Sequence, residues 1–286
     1  MRETVLITGA SSGIGKELAL VFAVEGYNLI TVARYEKALK EQAEILELLG
    51  VEVTPIPCDL SEPGAAQYLY DQVGELGKEV DILVNNAGFS VSGSFSETKL
   101  ADAQATLAVG VNSVVELCAL FVPDMIERGN GRVLNMGSMM GIIPCPYNAL
   151  YGAAKAFVHS FTNALSRELE GTGVMATVPC PGAVWTNFPR NAGIEGAPAW
   201  KYFSMDAQEV AIQIYTALMK EQRFPVIGLP NRIAAWWLWR IPTNLAMKIS
   251  EWLMGTRRDP MEGEGTGWLH ADSDHAVAKP DYEAAQ

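Results

Sequence analysis

Apolar residues cluster from Thr4 to Thr8 and, beyond a glycine-rich turn, recur at helical spacing from Ile14 to Glu25, which predicts a strand, a turn and a helix. The alternation then repeats. NLITVA reads as a strand, EKALKEQAEILELLG as a helix closed by Gly50 and VEVTPIP as a strand; a helix to about Leu76 and the strand VDILVNN follow. A long helical stretch through Leu107 to Arg128 leads by an Asn130-Gly131 turn to the strand RVLNMGS, a helix from about Asn148 to Glu170 and the strand GVMATVP. A helix near Asp206 to Lys220 and a last strand, FPVIG, bring the strand count to about seven. Strands that alternate with helices predict an α/β protein built on a doubly wound parallel sheet, with helices on both faces.

Residues 1–228 read as one domain, because no internal repeat or second boundary interrupts the pattern. Within it, the Pro- and Gly-containing connection from Pro181 to Met205 is long enough to serve as a lid. From 229 to 258 the pattern changes, with Trp236, Trp237, Trp239 and Trp252 crowded into a helical extension whose apolar residues cover too much circumference for a simple surface helix. Arg240, Pro242, Asn244 and Lys248 interrupt it and argue against a membrane-spanning helix. The segment reads as a lid or subunit contact that buries the indoles, or alternatively as an interfacial helix in peripheral contact with a membrane. Residues 259–286 have the acidic, Gly-containing composition of a disordered tail.

Composition narrows this picture. A chain of 286 residues, nearly half apolar, buries one substantial core. The net charge of -12 excludes nucleic acid as a natural partner, since phosphate binding needs clustered Lys and Arg; half of that charge lies from Asp259 onward. Cys58, Cys118, Cys145 and Cys180 form no CxxC pair and sit among apolar residues, as free thiols do in a reducing compartment. MRETVLITGA runs straight into a strand, so the expected location is cytoplasmic. No metal is expected, because His159, His270 and His275 give a zinc site or a histidine triad little to build on.

Two stretches carry chemistry. TGASSGIG, with Gly9, Ser11, Ser12, Gly13, Ile14 and Gly15, follows the first strand and opens the first helix, where backbone amides face a pyrophosphate. About 20 residues beyond such a loop an acid holds an adenosine ribose, whereas an Arg accepts a 2'-phosphate. Arg34 at the end of the second strand argues for NADP(H), with NAD(H) the alternative because Glu36 lies close by. YNALYGAAK holds Tyr147, Tyr151 and Lys155, and residues four apart on a helix share a face. Lys155 therefore sits with Tyr151, not with Tyr147.

The glycine loop, CDL at Cys58 to Leu60, NNAG at Asn85 to Gly88, Asn112, Ser138, the Tyr151–Lys155 pair and PG at Pro181 occur in one order. Together they resemble the short-chain dehydrogenase/reductase family over nearly the whole chain to Gly228, which implies a Rossmann-type fold. The resemblance implies that Asp59 and Leu60 lie against the adenine and that Asn86, Ala87 and Gly88 line the cofactor. Pro181, Gly182, Val184 and Thr186 are implied at the nicotinamide end. It further implies Tyr151 as the acid in carbonyl reduction, Lys155 as its tuner and ribose ligand, Ser138 as the group that steadies the substrate oxygen, and Asn112 as the organiser of a relay water. Family members commonly form homodimers or homotetramers through their two long helices, here those ending near Arg128 and Glu170.

This chemistry has a physical logic. Hydride addition to a carbonyl leaves negative charge on oxygen, which calls for a proton donor and a hydrogen bond aimed at that atom. A phenol with a pKa of ~10 cycles reluctantly, and a nearby ammonium lowers it. Met139, Met140, Ile142, Ile143 and Tyr147 near the expected carbonyl suggest an apolar or acyl-chain substrate, with a small polar ketone the alternative. The competing function is a non-catalytic dinucleotide sensor that keeps the fold without the reaction.

Overall fold

The computed structural model describes residues 2–194 and 196–255, so the acidic tail with His270 and His275 lies outside the described residues. Six strands form one parallel sheet: β1 (Thr4–Thr8), β2 (Asn28–Ala33), β3 (Val53–Pro57), β4 (Ile82–Asn85), β5 (Gly131–Asn135) and β6 (Val174–Thr177). Their order is β3-β2-β1-β4-β5-β6, which reverses direction between β1 and β4. The helices between them are α1 (Gly13–Val24), α2 (Glu36–Glu47), α3 (Ala65–Glu75), α4 (Leu100–Leu107), α5 (Ser113–Arg128) and α6 (Ala149–Glu168). Beyond β6 come α7 (Phe188–Asn191), α8 (Pro198–Phe203), α9 (Ala207–Met219), α10 (Leu229–Leu238) and α11 (Thr243–Met254).

β1, β2 and β4 read as nearly continuous apolar runs because both faces of the sheet are covered. Alternate residues of β1 go to opposite cores. Leu6 packs with Leu69 of α3, Leu117 and Phe121 of α5 and Val158 of α6, whereas Val5 and Ile7 pack with Phe22 of α1, Leu39 of α2 and Ile214 of α9. All four cysteines are free and buried.

FPVIG runs beside β6 without forming a full ladder. Val178 and Cys180 donate to the carbonyls of Arg223 and Pro225, both at 2.8 Å, and Ile227 donates to the Cys180 carbonyl at 3.0 Å. Pro225 has no N–H with which to return the missing bond, so the pairing reduces to one bridge, Cys180 with Val226. The sheet therefore has six full strands and an interrupted seventh.

The long helix before β5 is likewise not uniform. A π turn, Ala108–Asn112, joins α4 to α5. The stretch Leu100–Arg128 is long and apolar enough to cross a membrane, but its apolar face, from Val114 through Met125, is part of the core.

Candidate active site

At the point where the strand order reverses, the C-terminal ends of β1, β2, β4 and β5 open into a cleft of about 460 Å³, the position where open α/β sheets take ligands. The glycine loop forms its floor. A Cβ on Gly15 would lie 2.2 Å from the Gly9 carbonyl oxygen and 2.4 Å from Asn86 Nδ2, so only glycine lets the loop close on itself here. Ser12 makes no side-chain cap hydrogen bond at the start of α1, which leaves the first-turn amides directed at the cleft. Thr8 Oγ1 accepts from the amides of Asn86 and Ala87, each at 3.0 Å, and Asn86 Nδ2 donates to the Thr8 carbonyl at 2.9 Å. Thr8, which the sequence did not single out, thus fastens the NNAG segment to the glycine loop.

Gly9, Ser11, Ser12, Gly13, Ile14, Asn86, Ala87 and Gly88 line the cleft, and Gly15 supports it from behind. At the adenosine end stand Arg34, Asp59 and Leu60, joined by Tyr35. Burial lowers the Arg34 pKa, opposed by Tyr35 and Asp59. Glu36 lines no part of the cleft and pairs with Lys40 at 2.6 Å. Pro181, Gly182, Val184 and Thr186 close the opposite end. The Thr186 side chain reaches the glycine loop, 3.2 Å from where a Gly13 Cβ would sit, and its Oγ1 accepts from the Phe188 amide at 3.1 Å. The cleft's size, its uncapped amides and its glycine cradle fit a dinucleotide.

Ser138, Tyr151 and Lys155 meet at the middle of this cleft. Ser138 follows β5, where its hydroxyl accepts from the Met140 amide at 3.1 Å and lies close enough to Tyr151 to favour its phenolate. Lys155 Nζ lies 5.6 Å from the Tyr151 ring centroid and donates to the Met136 carbonyl at 2.7 Å. Burial pushes the Tyr151 phenol up to about 12, with Ser138 pulling it partly back. Burial also pushes the Lys155 ammonium down to about 8. The expected lowering of the tyrosine by the lysine is therefore not the dominant effect in this arrangement: desolvation outweighs it, and the ammonium is directed at a backbone carbonyl.

Three expected site residues are not brought to the cleft. Asn112 ends the π turn with its side chain in solvent and lines no part of the cleft. Val109 lines it instead, and Gly110 is buried with its Cβ position 3.4 Å from Ala154 Cβ, next to Lys155. Residues two apart on a helix face in different directions, so a turn that presents 109 and 110 to the site sends 112 away from it. Met139 and Tyr147 also lie outside the cleft lining. Tyr147 takes a left-handed backbone, φ +63°, held by the Gly93 amide donating to its carbonyl at 2.8 Å, a conformation that costs a non-glycine residue about 1–3 kcal/mol. The apolar residues that pack around Tyr151 are instead Met140, Cys145 and Phe188, backed by Trp200 of α8 and Leu253 and Met254 of α11. Tyr151, Phe188 and Trp200 form a ladder of rings, 5.4 Å and 6.3 Å between centroids.

A doubly wound parallel sheet with this cleft at its switch point defines a Rossmann-type dinucleotide-binding protein. The chain belongs to the short chain dehydrogenase family, whose model matches residues 3–195. It is 35% identical over 182 residues to the ketoacyl reductase HetN of Nostoc sp., a match spanning 64% of this chain and 63% of that protein. It is 37% identical over 227 residues to sulfoacetaldehyde reductase 2 of Chromohalobacter salexigens, spanning 77% of this chain and 90% of that one. Among solved structures, a short-chain dehydrogenase from Sphingobium yanoikuyae in complex with NADPH superposes with a TM-score of 0.76 at 28% identity, covering 91% of this chain and 99% of that chain. These relatives place the chain among the NAD(P)-dependent oxidoreductases that act on the alcohol–carbonyl pair.

Proposed function

We propose that this protein is an NADP(H)-dependent reductase of an apolar or acyl-chain ketone or aldehyde, running in reverse as an alcohol dehydrogenase. The observation that carries the reading is the meeting of Ser138, Tyr151 and Lys155 in the lining of the dinucleotide cleft. A bound reduced nicotinamide supplies the hydride. Ser138 and Tyr151 hold the substrate oxygen between their hydroxyls, and as charge develops there Tyr151 O–H gives up its proton to it. In the oxidative direction the phenolate takes that proton back from the alcohol. Lys155 favours the phenolate as a nearby cation, and its ammonium, 3.7 Å from the Gly88 Cβ position, would hold the ribose of a bound cofactor.

Two features favour the finer assignments. The wall of Met140, Cys145, Phe188 and Trp200 suits a hydrocarbon chain better than a sulfonate, which needs a cation, so the ketoacyl reductase is the more apt relative for substrate class. For the cofactor, Arg34 lines the cleft while Glu36 is engaged by Lys40, which favours a 2'-phosphate over a bare ribose hydroxyl. Replacing Arg34 with Ala removes a charge-assisted contact of about 1.5–3 kcal/mol, so the KM for NADPH rises about 10- to 100-fold while that for NADH stays within about twofold. Equal KM values for NADPH before and after the change, from steady-state kinetics, count against NADP(H) preference.

The surface completes the proposal. The helix faces around Ile126 and Phe157, both exposed, are offered to a second copy in a homo-oligomer. The extension departs from an indole-burying lid: Trp236, Trp237, Trp239 and Trp252 are 49–59% exposed, and the Arg240 guanidinium stacks 3.9 Å from the Trp236 centroid. Exposed Trp interleaved with Arg232, Arg240 and Lys248 suits peripheral contact with a bilayer from the cytoplasmic side. In flotation with anionic phospholipid vesicles the protein rises with the lipid, and Trp236→Ser/Trp237→Ser remains at the bottom. Equal behaviour of the two, or a dimer that dissociates in the variant, assigns the indoles to a subunit contact instead.

A further inference from the structure

His159 is buried one helical turn beyond Lys155, and the reaction described above gives it no task. Its surroundings are built around it. A Cβ at Gly137 would lie 2.7 Å from His159 Nε2, and one at Gly141 would lie 2.6 Å from Cε1, so the glycines on either side of Ser138 provide the space the imidazole fills. Phe224 meets the ring edge-on at 5.0 Å.

The hydrogen bonds show what the ring does there. Along β5 and its extension, Met136 donates its amide to the Asn85 carbonyl of β4 at 2.9 Å, while Gly137 and Met139 donate to Pro179 and Pro181 on the other side, both at 2.9 Å. The next amide on the β4 side is that of Ser138. By then β4 has ended at Asn85, and the following amides, those of Asn86 and Ala87, are directed at Thr8. His159 Nε2 takes the place of the missing strand and accepts from the Ser138 amide at 3.2 Å. Cys180 Sγ lies 3.1 Å from the same nitrogen. The ring is neutral, since burial and the nearby Lys155 push its pKa down to about 4, and Nε2 is then free to accept.

The same face of α6 satisfies the rest of that abandoned edge. Lys155 Nζ donates to the Met136 carbonyl at 2.7 Å, and Thr162 Oγ1 accepts from Asn135 Nδ2 at 3.0 Å. Residues 155, 159 and 162 of one helix therefore fix residues 136, 138 and 135 of one strand end. Tyr151 is one turn earlier on that helix, so the two hydroxyls are set relative to each other by these bonds.

We propose that His159 is a positioning residue for carbonyl reduction: it fixes the backbone of Ser138, and so the spacing of the Ser138 and Tyr151 hydroxyls that grip the substrate oxygen. The proposal rests on the role given to Ser138 above. A small misplacement of such a group costs about 100-fold in rate. His159→Leu, which keeps the volume and removes the acceptor, therefore lowers kcat about 10- to 100-fold and leaves the NADPH KM within about twofold. His159→Gln, whose amide oxygen can accept from the Ser138 N–H, keeps kcat within about fivefold of the parent.

The deciding experiment measures kcat and NADPH KM for Ser138→Ala, His159→Leu, His159→Gln and the double variant Ser138→Ala/His159→Leu, using the best carbonyl from a panel of apolar ketones and aldehydes. If His159 acts through Ser138, its replacement changes kcat less than about twofold once Ser138 is Ala. An equal loss in both backgrounds marks His159 as merely structural and overturns the proposal, as does unchanged kcat in His159→Leu beside a large loss in Ser138→Ala. Unchanged kcat in Ser138→Ala overturns the role of Ser138 itself, and this inference with it. Should His159→Leu not fold, a kcat for His159→Gln as low as that of Ser138→Ala overturns the proposal equally.

Discussion

Tyr151→Phe lowers carbonyl-dependent NADPH oxidation about 100- to 10,000-fold while leaving NADPH affinity within about twofold. The change removes one oxygen and keeps the ring, so its packing against Phe188 at 5.4 Å survives and the dinucleotide cleft is undisturbed. What is lost is the phenolic proton that the proposed mechanism delivers to the substrate oxygen. Because burial holds the phenol at about 12, the neutral acid is the resting form across the physiological range, as reduction requires. Asn112→Ala is the control: its side chain is in solvent, and kcat stays within about twofold. A loss in the control comparable with that of Tyr151→Phe, read by the same absorbance assay, would reinstate Asn112 at the site.

Gly15→Val weakens dinucleotide binding about 100-fold or more. The added Cβ would sit 2.2 Å from the Gly9 carbonyl oxygen and 2.4 Å from Asn86 Nδ2, and the first of these contacts is backbone that cannot swing aside. Either the glycine loop opens or α1 shifts off the sheet, at a cost of about 3 kcal/mol. Both movements disturb the amides that receive the pyrophosphate. NADPH titration followed by nicotinamide fluorescence then gives a Kd raised about 100-fold or more, together with a lower Tm. Gly74→Ala, in the exposed part of α3 where a Cβ meets nothing within 4 Å, leaves Kd unchanged and Tm equal or higher. Parental NADPH affinity in Gly15→Val contradicts the placement of the cofactor in this cleft.

The legible and illegible parts of the chain divide along physical lines. The alternation of strand and helix, the glycine loop and the Tyr151–Lys155 pair are local patterns, fixed by helical and strand periods, and they could be read without coordinates. Asn112 could not be placed that way, because the π turn at Ala108–Asn112 shifts the helical register and presents Val109 and Gly110 to the site. The left-handed turn at Tyr147 likewise redirects the chain just before α6, and the packed methionine beside Tyr151 is Met140 rather than Met139. FPVIG has the composition of a strand, yet Pro225 removes one bond from its ladder. His159 figured in the sequence only as one of too few histidines for a zinc site or a triad. Its hydrogen bond to Ser138 spans 21 residues and exists because β4 stops short of the end of β5, which no window of sequence displays.

The exposed indoles carry the same lesson from the other direction. Crowded Trp residues predict burial, and α11 does bury Ala246, Ser250 and Met254, the last in one cluster with Trp200 of α8. The four Trp of α10, α11 and their junction nonetheless face outward, so the extension both walls the Tyr151 pocket and presents an apolar surface.

Turnover decides between a reductase and a dinucleotide sensor. A panel of apolar ketones and aldehydes, with NADPH and NADH side by side, is followed by nicotinamide absorbance for the parent protein and Tyr151→Phe. The account predicts carbonyl-dependent oxidation, faster with NADPH, that disappears in the variant. Tight NADPH binding with no carbonyl-dependent oxidation, or oxidation indifferent to Tyr151→Phe, contradicts it and leaves a dinucleotide sensor in its place.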